Sequence, residues 1–151
     1  MTLEDVYAHW REGDWTLRFE FYADDLEWGW SDEFPDVAGV FHDTRTPNPR
    51  LQTWLSTWET WRCEAEEYIE SGDTTVVLAR YRGVGRGSGV EVDVEGAHVW
   101  KLRDGKAVRL EVFASRVRCA RREWPRHRIE LRRRRGRDRP PRFPPCRLFP
   151  A

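Results

Sequence analysis

The chain has 151 residues, enough for one domain with a real core, and nine of them are tryptophan. Its formal net charge of zero hides two opposed parts: residues 1–115 sum to −11 and residues 116–151 to +11. No apolar stretch reaches the roughly 20 residues of a membrane helix. The three cysteines, Cys63, Cys119 and Cys146, show no metal-ligand spacing, so no metal and no cofactor is expected. No basic-then-apolar leader is read near Met1, and free thiols suit a reducing compartment, so a cytoplasmic location is expected. Only Lys101 and Lys106 are lysine among 26 basic residues, a bias that suggests a GC-rich, bacterial genome.

Thr2 is placed to cap a helix in which Leu3, Val6, Tyr7 and Trp10 recur at helical spacing. Gly13 ends it, and Asp14 can cap a second helix carrying Leu17, Phe19, Phe21 and Tyr22. Leu26, Trp28 and Trp30 alternate as one face of a strand. Residues 31–46 read as a loop. Asn48-Pro49 then reads as a cap with proline at the first helical position, opening a third helix with Leu51, Trp54, Leu55, Trp58 and Trp61 on one stripe. Four strands follow: Cys63–Glu70, Thr74–Val84, Val90–Arg103 and Lys106–Ser115. The glycines of Gly83–Gly89 fit a hairpin bend better than a phosphate loop, since no Lys-Ser/Thr follows and no helix opens there. Helices massed on one face of such a meander give an α+β fold.

The last hairpin is the most informative segment. Asp104-Gly105 predicts a two-residue turn, which fixes the register. Arg103 then faces Lys106, Leu102 faces Ala107, Trp100 faces Arg109 and His98 faces Glu111. One face would carry His98, Trp100, Arg109, Glu111 and Phe113. The other would carry Ala97, Val99, Val108, Leu110 and Val112. His98 with Glu111 is the candidate acid/base pair, the carboxylate orienting the imidazole, and Arg109 is a candidate anion stabiliser. Each also has a packing explanation: a His–Glu hydrogen bond, an Arg109–Trp100 stack, or an Arg109–Glu111 pair along one strand. Tyr22, Trp28, Trp30, Trp54, Trp58, Trp100 and Phe113 are candidates for an apolar ligand wall. His9 and His42 suit surface or capping roles, and Asp24-Asp25 a helix-ending acidic pair, solvated rather than catalytic.

Gly13-Asp14-Trp15, Tyr22-Ala23-Asp24-Asp25, Ala97-His98-Val99-Trp100, Leu102-Arg103-Asp104-Gly105-Lys106 and Val108-Arg109-Leu110-Glu111-Val112-Phe113 together resemble the NTF2-like superfamily, within it the SnoaL-like group that includes polyketide cyclases. The resemblance spans roughly residues 1–116. It implies a cone: a curved antiparallel sheet wrapped around three N-terminal helices, with a cavity at the open end. It also implies a homodimer through the outer sheet face. By alignment, the ketosteroid isomerases place a tyrosine near Val6, a carboxylate base near Trp30 and a protonated aspartic acid near His98. The cyclases place an aspartate near Ser115. None of these residue types stands at those positions.

The expected function is a small-molecule pocket protein, with acid/base isomerase or cyclase chemistry on an apolar carbonyl compound. The alternative is a non-catalytic dimeric ligand-binding or interaction module. Residues 117–151 form an Arg/Pro-rich tail without apolar periodicity, expected to be disordered or the product of a frameshift. A tail docked on the acidic body and a nucleic-acid-binding tail are the other readings. Nucleic acid ranks last among the partners.

Overall fold

The computed structural model describes residues 1–16, 20–34, 38–42, 49–116 and 119. They form α1 (Leu3–Arg11), β1 (Tyr22–Trp30), β2 (Gly39–Phe41), α2 (Pro49–Ser56), β3 (Trp58–Ser71), β4 (Thr74–Gly85), β5 (Glu91–Arg103) and β6 (Lys106–Phe113). The strands make one curved, unclosed sheet in the order β2-β1-β6-β5-β4-β3. Every neighbouring pair is antiparallel except β1 and β6. The fold is α+β.

Helix α1 begins in a capping box. The Asp5 amide donates to the Thr2 hydroxyl (3.2 Å), and the Thr2 amide donates to the Asp5 carboxylate (2.7 Å). Gly13, at φ +80°, turns the chain out of the helix. Leu3, Val6, Tyr7 and Trp10 are its buried stripe. In the expected second helix, Asp14 accepts from the Thr16 amide (3.0 Å). Leu17 and Phe19 lie outside the described residues. Phe21 is buried just before β1, and Tyr22 is the first residue of that strand. The described residues thus contain two helices rather than three. The expected 31–46 loop holds the short edge strand β2, paired Trp28↔Phe41 and Trp30↔Gly39.

The third expected helix is shorter than its aromatic stripe. It is α2, which starts at Pro49 as predicted and stops at Ser56, where the Ser56 and Thr57 hydroxyls donate to the carbonyls of Thr53 and Trp54. Trp58 and Trp61 belong to β3. An irregularity between Trp58 and Thr60 adds one residue to the strand period, so Trp58 and Trp61 reach one face with a spacing of three. That spacing imitates a helix.

Two apolar clusters lie on opposite faces of the sheet. The inner one joins α1 to Leu26, Phe34, Trp54, Trp61, Cys63, Val77, Ala79, Tyr81, Trp100, Leu110 and Val112. The outer one is Val76, Ala97, Val99, Phe113 and Cys119. Apart from Cys119, the expected tail, residues 117–151, lies outside the described residues.

The terminal hairpin turns at Asp104 (φ 51°) and Gly105 (φ 75°) as expected. The pairs Arg103↔Lys106 and Leu102↔Ala107 hold. Val108 then forms an extra residue on β6, and the pairs become Lys101↔Arg109, Trp100↔Leu110, Val99↔Glu111 and His98↔Val112. One inserted residue moves everything after it to the other face. His98 and Glu111 are therefore not cross-strand neighbours, and neither are Trp100 and Arg109.

Candidate functional site

His98 sits on the inner face, 1 % exposed, between two tyrosines. Its Nδ1 is hydrogen-bonded to the Tyr7 hydroxyl from α1, and its Nε2 to the Tyr81 hydroxyl from β4 at 2.5 Å. Trp100 Nε1 donates to the Tyr7 hydroxyl at 2.9 Å. Whichever ring nitrogen holds the proton, the other accepts from the tyrosine beside it, so both nitrogens of the imidazole are satisfied while it is neutral. Burial alone pulls the His98 pKa down to about 3. Burial likewise pushes both tyrosines well above their ordinary value, and it pushes the neighbouring Cys63 thiol up as well. At neutral pH all three are uncharged. The arrangement depends on Gly96: a Cβ there would run into the Tyr81 ring and lie 2.7 Å from the Phe113 carbonyl.

Beside this polar chain lies an aromatic wall. Trp28 and Trp30 of β1 stack at 6.0 Å between centroids. Trp30 meets Phe34 (5.3 Å) and Trp54 of α2 (6.1 Å). Trp54 meets Trp58 (5.8 Å) and Trp61 (4.7 Å). Tyr22 stacks parallel to Trp100 at 6.5 Å. A hollow of about 460 Å³ opens beside Trp54, lined also by Pro49, Arg50, Thr53 and Thr57. The indole nitrogens of Trp28, Trp30 and Trp58 are buried and have no hydrogen-bond partner among the described residues. Unpaired buried donors are rare, and each costs about 1–3 kcal/mol.

The sequence-derived candidates divide between the two faces. His98, Trp100, Tyr22, Trp28, Trp30, Trp54 and Trp58 come together on the inner one. Glu111, Arg109 and Phe113 do not. Arg109 pairs with Glu111, which is 7 % exposed, and both line a shallow outer groove of about 120 Å³ with Glu27, Gly29, Val40 and Phe113. The dyad is thus replaced by the Arg109–Glu111 pair, because the Val108 bulge turns Glu111 outward. Phe113 packs with Val76 and Val99 rather than on the ligand wall. His9 pairs with Asp14 (3.1 Å) at the surface, as expected. Asp24 and Asp25 end no helix but lie on β1, where Asp25 binds Arg103 (3.1 Å). Among the described residues no cluster could hold a metal ion.

Sequence reasoning missed Tyr7 and Tyr81, whose apolar rings fit the core pattern of their elements. One signal was present: Tyr7 is the residue after Val6, where the resemblance expects a tyrosine.

The SnoaL-like domain model matches residues 3–110 of this chain. The chain belongs to the SnoaL-like domain family. Solved structures agree with this SnoaL-like fold. An NTF2-like protein from Burkholderia thailandensis E264 is 26 % identical, with a TM-score of 0.64 over 78 % of this chain and 90 % of that one. TerC, co-crystallised with polyporic acid, is 24 % identical, with a TM-score of 0.60 over 76 % of this chain and 89 % of TerC. A protein described as a SnoaL-like polyketide cyclase, from Jannaschia sp. CCS1, is 18 % identical, with a TM-score of 0.54 over 78 % and 87 %. No curated protein matches the sequence. No helix among the described residues is long and apolar enough to cross a membrane.

Proposed function

We propose that this SnoaL-like domain binds a flat, largely apolar carbonyl compound against the aromatic inner face of the sheet. The observation that carries the reading is the set of three buried indole N–H groups, on Trp28, Trp30 and Trp58, with no acceptor among the described residues. A ligand ring would stack on the wall, and its oxygens would accept from those donors. TerC, which shares the fold, was co-crystallised with polyporic acid, a precedent for small-molecule binding on this scaffold.

The test is a matched pair of probes, 9-fluorenone and fluorene, which differ by one carbonyl oxygen, titrated by tryptophan fluorescence. The account expects fluorenone to bind at least fivefold more tightly, about 1 kcal/mol for one satisfied donor. It also expects a Trp30→Phe variant to reduce that preference. Equal affinity for both probes would contradict the role of the indole donors, and binding of neither would contradict the reading as a whole.

A second reading, proton transfer on the same compound, rests on the Tyr7–His98–Tyr81 chain. A neutral imidazole bonded on both sides can accept a proton at one nitrogen and release one at the other without a net buried charge. On this reading His98→Gln abolishes turnover and leaves probe binding within twofold. If catalysis persists in that variant, the chain only packs the interior, as in the non-catalytic alternative.

A further inference from the structure

The buried polar chain around His98 holds one more hydrogen than its bonds use. At neutral pH the imidazole is uncharged and carries a single N–H. Trp100 adds its indole N–H, and Tyr7 and Tyr81 add one hydroxyl hydrogen each. These four hydrogens make three hydrogen bonds: Trp100 to Tyr7, Tyr7 with Nδ1 of His98, and Tyr81 with Nε2. The indole hydrogen is always spent, and the imidazole hydrogen always meets a tyrosine oxygen. The hydrogen left over therefore sits on a hydroxyl, that of Tyr7 or that of Tyr81. Neither hydroxyl has a further acceptor among the described residues, and each tyrosine is only 3 % exposed.

Two observations place the spare hydrogen on Tyr81. The first is the Trp100 bond. By donating to the Tyr7 oxygen at 2.9 Å, the indole polarises that hydroxyl into a stronger donor. If Tyr7 gives its hydrogen to Nδ1, the chain runs head to tail. If Nδ1 held the proton instead, the Tyr7 oxygen would accept twice and its hydroxyl would donate to nothing. The head-to-tail order puts the imidazole proton on Nε2, which then donates to the Tyr81 oxygen. The second observation is what surrounds each ring. Tyr7 is packed among Trp10 (5.1 Å), Tyr68 (5.9 Å) and Trp100 (6.4 Å). Tyr81 instead stacks on Trp61 at 5.6 Å and meets Phe34 edge-on at 6.3 Å. Both of those rings pack on Trp54 of the aromatic wall, at 4.7 and 6.2 Å.

We infer that the Tyr81 hydroxyl is a ligand-binding group whose free hydrogen is donated to an oxygen of the bound compound. His98 is its positioning residue: by giving its Nε2 hydrogen to the Tyr81 oxygen, it leaves the hydroxyl hydrogen for an acceptor from outside the chain. This deepens the ligand-binding reading and rests on it for the class of compound. Tyr81 selects a ligand that brings an acceptor oxygen, and a group that can only donate, such as an ammonium, is rejected there.

The experiment uses the full chain at neutral pH, with two readouts. Long-range proton–nitrogen correlation spectra of the His98 ring, recorded without any probe, read which nitrogen holds the proton. Nε2 protonated and Nδ1 bare is the expected result. The reverse would overturn the inference, because the Tyr81 hydrogen would then be spent on His98. The second readout is the ratio of 9-fluorenone to fluorene affinity in Tyr81→Phe. That ratio is expected to fall about threefold or more, with fluorene itself bound within about twofold of wild type, since only the oxygen loses a donor. A ratio that holds in Tyr81→Phe but falls in Trp30→Phe would overturn the inference and leave the ligand-binding reading standing. Should neither probe bind the wild type, that reading fails and takes the ligand role of Tyr81 with it. If Tyr81→Phe does not fold, 3-fluorotyrosine incorporated at position 81 carries the test: its more acidic hydroxyl donates more strongly, so the ratio should rise, and an unchanged ratio would contradict the role of Tyr81.

Discussion

The two faces of this one sheet solve the burial of polar groups in opposite ways. On the inner face, His98, Tyr7 and Tyr81 are buried as neutral groups that satisfy one another. On the outer face, Arg80 stays charged, held by Glu66 (2.6 Å), Asp93 (2.8 Å) and Glu95 (3.1 Å), and part-exposed to water. Strand β5 supplies both, since Glu95 and His98 lie three residues apart on opposite faces. Depth decides the outcome: where water is excluded, the charged form is lost, and where it is not, an ion pair persists with little net worth. The inner face is therefore the sensitive one and the outer face the tolerant one.

Replacing His98 by leucine is the strongest way to break this contrast. It strands two buried hydroxyls and should lower unfolding free energy in urea by about 2–4 kcal/mol. Acid titration sharpens it. His98 binds its proton in the unfolded state near pH 6.5 and in the folded state only near 3, so the unfolded chain gains protons first as pH falls. Stability should fall below pH 6.5 by up to about 1.4 kcal/mol per unit, and His98→Gln should flatten that slope. Glu66, held low by hydrogen bonds from Arg116 and Arg80, titrates in a separate window, its stabilisation lost only as pH drops below the usual glutamate range. Gly96→Ala comes next. Its new methyl would push the Tyr81 ring off His98, at a cost of about 1–3 kcal/mol by thermal or urea unfolding. Arg82→Ala on the outer face should be the mildest, below about 1 kcal/mol, because its pair with Glu64 is half-exposed and screened by salt.

Much of the frame was legible in the sequence because local chemistry specified it. The Thr2 capping box, Pro49 at the start of α2, the Asp104-Gly105 turn and the four-strand meander all follow from short-range rules. Single inserted residues defeated the rest. The Val108 bulge was invisible because both faces of β6 offer apolar residues, so hydrophobicity could not choose between registers. The irregularity at Trp58–Thr60 disguised a strand as helix. Tyr7 and Tyr81 looked like core, and their hydroxyls find purpose only when α1, β4 and β5 converge on His98, which no local window contains.

The central claim is that the inner aromatic face receives a ligand through its unpaired indole donors. Proton–nitrogen correlation spectra of the indole region, recorded while 9-fluorenone is titrated in, test it most directly. The account predicts downfield shifts of the Trp28, Trp30 and Trp58 indole protons, with Trp100, already bonded to Tyr7, little changed. Saturating probe that leaves those three resonances in place while others move would contradict it.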